Sequence, residues 1–351
     1  MIIIADDITG AAEIAGMSGD GTTVIATDTR SLSQDEAVAE LHRIITKHHL
    51  KKSDCIFKKT DSALRGHIVA ELQVIMHELG YDKCLLLPQN PSKGRIIRDG
   101  IYYINNVCLH ETAFAHDPEF PAHSSCVTEI LQGCNYLSLD APLRDGINVA
   151  EATNADEIKI QLNKTDGNTL IAGAADLFKA ISSHNQSSSL TNIPVQAPMI
   201  VVCGSTQSRS LAHEPGLQHF NVKEIPMKSD VFHGRVSADS WIDELKKAYK
   251  KIHSVVLTIG HPSQGGKEYA VRLRRTMAEA VCQLVETELP ATLIIEGGAT
   301  AFAILSALGW NQFDMEYEYA PGVVSLNHEG IHIIMKPGSY SWSGIFQNIP
   351  D

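Results

Sequence analysis

Two carboxylates stand side by side near the start of the chain, in ADDITGA (5–11), and they are the first residues whose type and spacing call for chemistry. One aspartate at the start of a helix is a cap, its oxygens accepting free backbone N–H groups. Asp6 and Asp7 together exceed that need, so one carboxylate is available to a ligand. Two later clusters share this character. TDTRS (27–31) supplies Asp28 and Arg30, and KKTDSALRG (58–66) supplies Lys59, Thr60, Asp61, Ser62 and Arg65. Cations at a helix start oppose the macrodipole, so Lys59 and Arg65 make sense there around a bound anion. The plainer alternative is that Asp61 or Ser62 caps the helix while the cations pair with surface acids. These residue types suit a ligand with an anionic end and several hydroxyls. Arginine offers a planar fork to a carboxylate, and aspartates accept from hydroxyls and can serve as general base.

The second half carries glycines rather than charge. In LIIEGGATAFAIL (293–305), Gly297 and Gly298 allow a close backbone approach, and Ala299 and Thr300 open a helix whose N-terminus attracts phosphate. VVCGSTQS (201–208) offers Ser205 to the same group, and MKPGSYS (335–341) closes the last apolar run with Gly338. Each could be a tight strand-to-helix turn and nothing more; together they point to a nucleotide. TIGHPSQGGKE (258–268) mimics a P-loop, but Gly260 to Lys267 is one residue too long and Glu268 stands where Ser or Thr should be. Lys267 reads as the exposed first turn of a long helix. No G-x-G-x-x-G occurs, which weakens an oxidoreductase reading.

The elements that must position these clusters follow an alternating pattern. IIIA (2–5), TTVIAT (22–27), DCIFKK (54–59) and KCLLLP (83–88) read as strands, with helices at 9–17, 33–49 and 66–79 between them. Ligands of such sheets bind beyond the carboxyl ends of the strands, where all three charged clusters fall. A polar, serine-rich stretch at 182–198 has linker composition. Strands at 198–204, 253–260 and 291–298 follow, with helices near 208–218, 238–251, 265–289 and 299–309. The expected fold is α/β with two domains, 1–190 and 191–351, each a mostly parallel sheet flanked by helices.

Bulk properties narrow the function classes. The chain has 351 residues and a formal charge of −12, which argues against nucleic acid or an anionic membrane as partner. Seven scattered cysteines without C-x-x-C fit free thiols in a reducing compartment, and no His/Cys spacing marks a metal site. The opening residues are a strand candidate without a basic stretch, so a signal peptide is not expected and a cytoplasmic location is. Self-association as a homodimer is left open.

ADDITGA, TDTRS and KKTDSALRGH (58–67), together with GRIIRDGIYYINN (94–106) and ETAFAHDP (111–118), resemble the N-terminal motifs of the four-carbon acid sugar kinases, which include D-threonate and D-erythronate kinases. Gly204-Ser205, GGATA (297–301) and KPGSYS (336–341) resemble that family's C-terminal nucleotide motifs. The resemblance implies phosphorylation of the terminal (4-) hydroxyl of a C4 sugar acid, using ATP and Mg²⁺ in a cleft between the domains. By position, Asp6, Asp7, Arg30, Lys59, Thr60, Asp61, Ser62 and Arg65 would hold the acid, with Asp7 or Asp61 orienting or deprotonating the hydroxyl. Ser205, Gly297, Gly298, Ala299, Thr300 and Gly338 would hold ATP. Three departures stand out: Ala299 where the family has aspartate, His67 where it has asparagine, and Tyr340-Ser341 in place of Phe-Gly. Ala299 motivates the rival reading, a non-catalytic sugar-acid or nucleotide-binding protein.

Overall fold

Strands here are short, β-branched and buried on both faces, so each needs a helix above and below the sheet. The computed structural model of the chain describes residues 1–19, 21–117, 120–182, 194–204, 211, 214–262, 266–320, 322–338, 342 and 344–346, with Lys267 in its backbone alone. Two units separate, Met1–Ser188 and Ser189–Asp351.

The first unit opens with β1 (Ile2–Ala5), α1 (Ile8–Ala15), β2 (Thr23–Ala26), α2 (Gln34–Lys47), β3 (Ile56–Lys59), α3 (Ile68–Leu79) and β4 (Lys83–Leu87). Local chemistry sets the helix starts. Asp7 caps α1 by accepting from the Gly10 N–H, and Ser33 and Glu36 form a capping box on α2. The elements after β4 are less patterned. An antiparallel trio, β5 (Arg95–Arg98), β6 (Ile101–Ile104) and β7 (Val107–Cys108), stands apart from the main sheet. It is followed by α4 (Val127–Ile130), β8 (Asn135–Leu137), β9 (Gly146–Ala150), α5 (Ala155–Leu162), β10 (Thr169–Gly173) and α6 (Ala175–Ser182). The main sheet has the order β2-β1-β3-β10-β4-β9-β8, with every pair parallel. Alternate residues of β1 feed opposite faces. Ile4 packs with Leu41, Ile75, Leu86 and Tyr102, and Ile3 packs with Ile14, Phe57, Leu85 and Phe178.

The second unit contains β11 (Met199–Cys203), β12 (Lys223–Pro226), α7 (Ser229–Phe232), α8 (Asp239–Ile252), β13 (Ser254–Thr258), α9 (Lys267–Thr287), β14 (Thr292–Glu296), α10 (Gly298–Ala307), β15 (Asp314–Ala320), β16 (Val323–His328) and β17 (Ile331–Lys336). Its sheet runs β12-β13-β11-β14-β17-β16-β15, parallel except where β16 pairs with β17 and β15. Both units are therefore α/β, with mostly parallel sheets flanked by helices. Among the described residues no helix is long and apolar enough to cross a membrane.

Two expected helices differ. Over 208–218, residues 208–210 and 212–213 lie outside the described residues, and the remainder holds Leu211 in 3₁₀ conformation and the 3₁₀ turn Leu217–His219 but no α-helix. Pro215-Gly216 explains this, because proline cannot extend a helix and glycine favours a turn. The helix expected from residue 66 begins at Ile68, after Leu64 and Gly66 take left-handed backbone at φ 63° and 89°. His67 is its N-cap and makes no side-chain capping bond. Residues 60–67 are thus a loop, and neither Asp61 nor Ser62 caps α3.

Candidate active site

Neighbouring strands β1 and β3 are in parallel register, with Ala5 opposite Lys59, and β2 flanks β1 with Ala26 opposite Ala5. The chain leaves β1 toward β2 on one side and leaves β3 toward β4 on the other. The carboxyl ends of β1 and β3 are therefore a topological switch point, where such sheets hold ligands. Asp6 and Asp7 follow β1, Arg30 follows β2, and Thr60 to Arg65 follow β3, so the three charged clusters are brought together.

Arg30 is the hub. Its Nε donates to Asp6 Oδ2 at 2.8 Å, its Nη2 to Asp7 Oδ1 at 3.0 Å, and its Nη1 lies 3.4 Å from Asp61 Oδ1. Asp61 is also forked by Arg65, which donates from Nε and Nη2 at 3.0 and 2.9 Å, and it accepts the backbone N–H groups of Ala63 and Arg65. Arg65 reaches Asp117 as well, at 3.3 Å. Asp7 accepts from the Gly10 N–H at 3.0 Å and from the Thr9 hydroxyl.

Lys59 enters through a gap in α1. A Cβ on Gly10 would lie 2.6 Å from Asp7 Oδ1 and 3.2 Å from Lys59 Nζ, so glycine at this position leaves the ammonium room beside the carboxylate. Lys59 Nζ donates to the Thr60 carbonyl and lies 3.9 Å from Glu13, which Lys93 also contacts at 2.6 Å. Next along β3, Lys58 meets Glu71 of α3 at 2.6 Å with both side chains about fully buried. Asp6 Oδ1 and Thr60 Oγ1 are buried without a hydrogen-bond partner among the described residues.

These surroundings separate three aspartates that are chemically alike. Burial pushes the Asp6 carboxyl above the usual carboxylate range, against the pull of Arg30 and Lys58. Burial also acts on Asp7, but the Arg30 and Lys59 charges and the Thr9 hydroxyl outweigh it and hold Asp7 below that range. At Asp61 the burial penalty is overwhelmed by Arg30, Arg65 and the Arg65 hydrogen bonds, which drive it far below. Divergent carboxyls of this kind can take different proton roles.

Ser62 is pinned from two sides. Arg95 Nη1 donates to its Oγ and the Tyr102 hydroxyl donates to its carbonyl. The Phe114 ring lies against both Arg65 and Arg95, at 5.4 and 5.6 Å from their guanidinium carbons. Glu13, Lys58, Glu71, Lys93, Arg95, Tyr102, Phe114 and Asp117 thus join the site without having been picked out as site residues from the sequence. Four of them sit in GRIIRDGIYYINN and ETAFAHDP, stretches whose signal was the resemblance and not a local charge cluster.

In the second unit the switch point lies at β11 and β14, and the structure joins the two glycine turns there. A Cβ on Gly204 would lie 2.3 Å from Thr300 Oγ1 and 2.7 Å from the Glu296 carbonyl. Gly297 takes φ 95° as N-cap of α10, and its N–H donates to the Lys336 carbonyl at 2.8 Å. Gly298 and Ala299 are the first residues of α10, and the Thr300 side chain is buried against Gly204. Lys336 pairs with Glu296 at 2.9 Å, fully buried, with its ammonium 4.8 Å from the Trp342 ring centre. Gly338 is exposed just past β17. Ser205, Tyr340 and Ser341 lie outside the described residues, as do 263–265 of the P-loop-like stretch; α9 begins at Lys267.

Residues 1–172 match a sugar-binding N-terminal domain and residues 201–340 a nucleotide-binding C-terminal domain. A D-threonate kinase of Salmonella typhimurium LT2 is 22% identical over 408 residues, covering 97% of this chain and 95% of that protein. A 3-oxo-tetronate kinase of Brucella melitensis is 22% identical over 98% of this chain and 93% of its own length. Among solved structures, a Salmonella typhimurium LT2 protein superposes with TM-score 0.74 at 18% identity, over 98% of this chain and 97% of that one, so the fold is shared.

Proposed function

The chain belongs to the four-carbon acid sugar kinase family, and we propose that it transfers the γ-phosphoryl group of ATP to the 4-hydroxyl of an acid of the threonate and erythronate class. The acid belongs to the first unit and the nucleotide to the second. Asp7 takes the attacking hydroxyl. It is ionised at neutral pH, and the Gly10 N–H and Arg30 fix its orientation. Asp61 is the weaker base by far, because the Arg65 fork and two N–H groups already satisfy it. Its role is to hold Arg65 and, with Ser62 and Thr60, to shape the loop after β3. Arg30 and Lys59 keep three carboxylates together so that hydroxyls can be oriented against them.

As the hydroxyl oxygen bonds to the γ-phosphorus, the bond to the β–γ bridging oxygen breaks, ADP leaves, and the hydroxyl proton passes to Asp7. In-line positioning and charge neutralisation dominate such a step. The phosphates lie at the N-terminus of α10, met by the backbone of Gly297, Gly298, Ala299 and Thr300, and Ser205 and Gly338 are the further nucleotide contacts of this reading. Gly297 fits this use, since its missing side chain leaves the helix start open. Mg²⁺, bound with the nucleotide, would supply neutralisation of the triphosphate oxygens.

The observation that carries this reading is the pairing, in one chain, of a sugar-binding match over 1–172 with a nucleotide-binding match over 201–340. The test is ATP consumption across the C4 sugar acids, including 3-oxo acids, with the product identified by phosphorus NMR. A 4-phosphorylated acid is expected; a folded protein that turns over none of them removes the assignment. Ala299 favours one rival, binding without catalysis, and calorimetric heat from a ligand with no phosphorylated product would establish it.

A further inference from the structure

We propose that Arg95 is the receptor for the substrate carboxylate, a role that rests on the first unit being the acid-binding domain. The argument is an accounting of cations at the carboxyl ends of β1 and β3. Arg30 is shared by Asp6, Asp7 and Asp61, and Arg65 by Asp61 and Asp117. Lys58 is matched by Glu71, and Lys59 and Lys93 by Glu13. Every one of these charges already has a carboxylate. Arg95 differs. Its Nη1 donates to the neutral Ser62 hydroxyl, its guanidinium lies against Phe114, and no acidic side chain pairs with it among the described residues.

A guanidinium stays charged at every working pH, and a half-buried one gains by finding a carboxylate. Among the described residues no acidic side chain supplies it. Phe114 holds the plane of the group, and Ser62 occupies one of its five donors, which leaves Nε and Nη2 as a planar fork of the shape that a carboxylate fills. The setting also explains why the acceptor should come from outside. Asp6, Asp7 and Asp61 line the same switch point, and an anionic substrate approaching three carboxylates needs one uncompensated cation to bind. Ser62 is the chain neighbour of Asp61, so the fork lies beside the hydroxyl-binding carboxylates and not on a remote surface.

The experiment compares the wild-type chain with Arg95→Met, Arg95→Gln and Arg95→Lys, using calorimetry and steady-state kinetics with a four-carbon acid and with the neutral tetritol of the same length. Loss of a bidentate charge-assisted contact should raise Kd and KM for the acid by about 100-fold in Arg95→Met, with a much smaller fall in kcat. Arg95→Lys should recover part of the affinity as a point charge, and tetritol binding should be unchanged in all variants. A change in acid Kd below about threefold in folded Arg95→Met and Arg95→Gln would overturn the assignment while leaving the kinase reading intact. A wild-type chain that binds no four-carbon acid would instead sink that reading and the role of Arg95 with it. Unchanged melting temperatures separate both results from misfolding, and Arg95→Gln, which keeps a donor for Ser62, covers the case in which Arg95→Met fails to fold.

Discussion

The two switch points are built from different parts of the chain. At β1 and β3 the work is done by side chains: Arg30 pairs with Asp6, Asp7 and Asp61, Arg65 forks Asp61, and Lys59 lies within ion-pairing distance of Glu13. At β11 and β14 it falls to backbone, because Gly204 and Gly297 remove side chains so that a strand end and a helix start can meet. Hydroxyls and carboxylates differ in direction and number, and only side chains can match them. Phosphate needs little more than converging N–H groups. Both sites nonetheless rest on a buried lysine–glutamate pair, Lys58 with Glu71 and Lys336 with Glu296.

The contrast predicts that the first site is the more fragile to single charge removal. Asp61→Ala leaves Arg65 and Arg30 without their shared partner, and kcat/KM should fall at least about 1,000-fold, since buried charges act as a unit. Steady-state assay checks this; a fall under tenfold would place the chemistry elsewhere. Lys58→Met should cost about 3–5 kcal/mol in denaturant unfolding, with much of it regained in Lys58→Met/Glu71→Leu. The same change at Lys336 tests whether the two buried pairs are equivalent.

Gly10→Ala and Gly297→Ala compare the two kinds of glycine. The first should displace Lys59 from Asp7 and raise the acid KM about tenfold; the second should destabilise by about 1–3 kcal/mol through its positive φ. Binding and unfolding measurements on each keep the effects apart. Acid should weaken the protein through Asp61 and Asp7. A carboxyl depressed in the folded state stabilises above its unfolded value and loses that contribution as pH falls toward its folded one. Asp6, raised by burial, runs the other way: its contribution is present below its unfolded value and is lost as pH rises through the folded one. Wild type should therefore lose roughly 1.4 kcal/mol per pH unit and per depressed carboxyl below about pH 4, and Asp61→Asn should flatten the urea-midpoint profile. The smallest effect belongs to Ala299→Asp, which puts a carboxylate in the first turn of α10 and should stabilise it by about 0.3–1 kcal/mol, read as a rise in Tm.

How far the sequence reached follows the same division. Adjacent charges after an apolar run, as in Asp6-Asp7 or Lys59 to Arg65, are local signals, and so are glycines between a strand and a helix. Partners are not local. Glu13, Glu71 and Arg95 meet the site from other elements, and no spacing within the sequence announces that Lys58 will face Glu71. The helix expected from residue 66 starts two residues later for a different reason, since the left-handed backbone at Leu64 belongs to a loop built around Asp61 and Arg65. The alternation of β1 to β4 was legible, whereas β5 to β7 were not, being short antiparallel strands outside the main sheet.

The place of β10 has an implication for how this chain comes into being. β3 and β4 are separated in the sheet by a strand made about a hundred residues later, and the Thr60 N–H is satisfied by the Gly173 carbonyl. During synthesis the early segments must wait, with two strand edges open, until residue 173 has left the ribosome. The charged cluster at the ends of β1 and β3 is in that sense a late product of its own translation, and the interval before β10 arrives is when the nascent chain has most need of protection from aggregation.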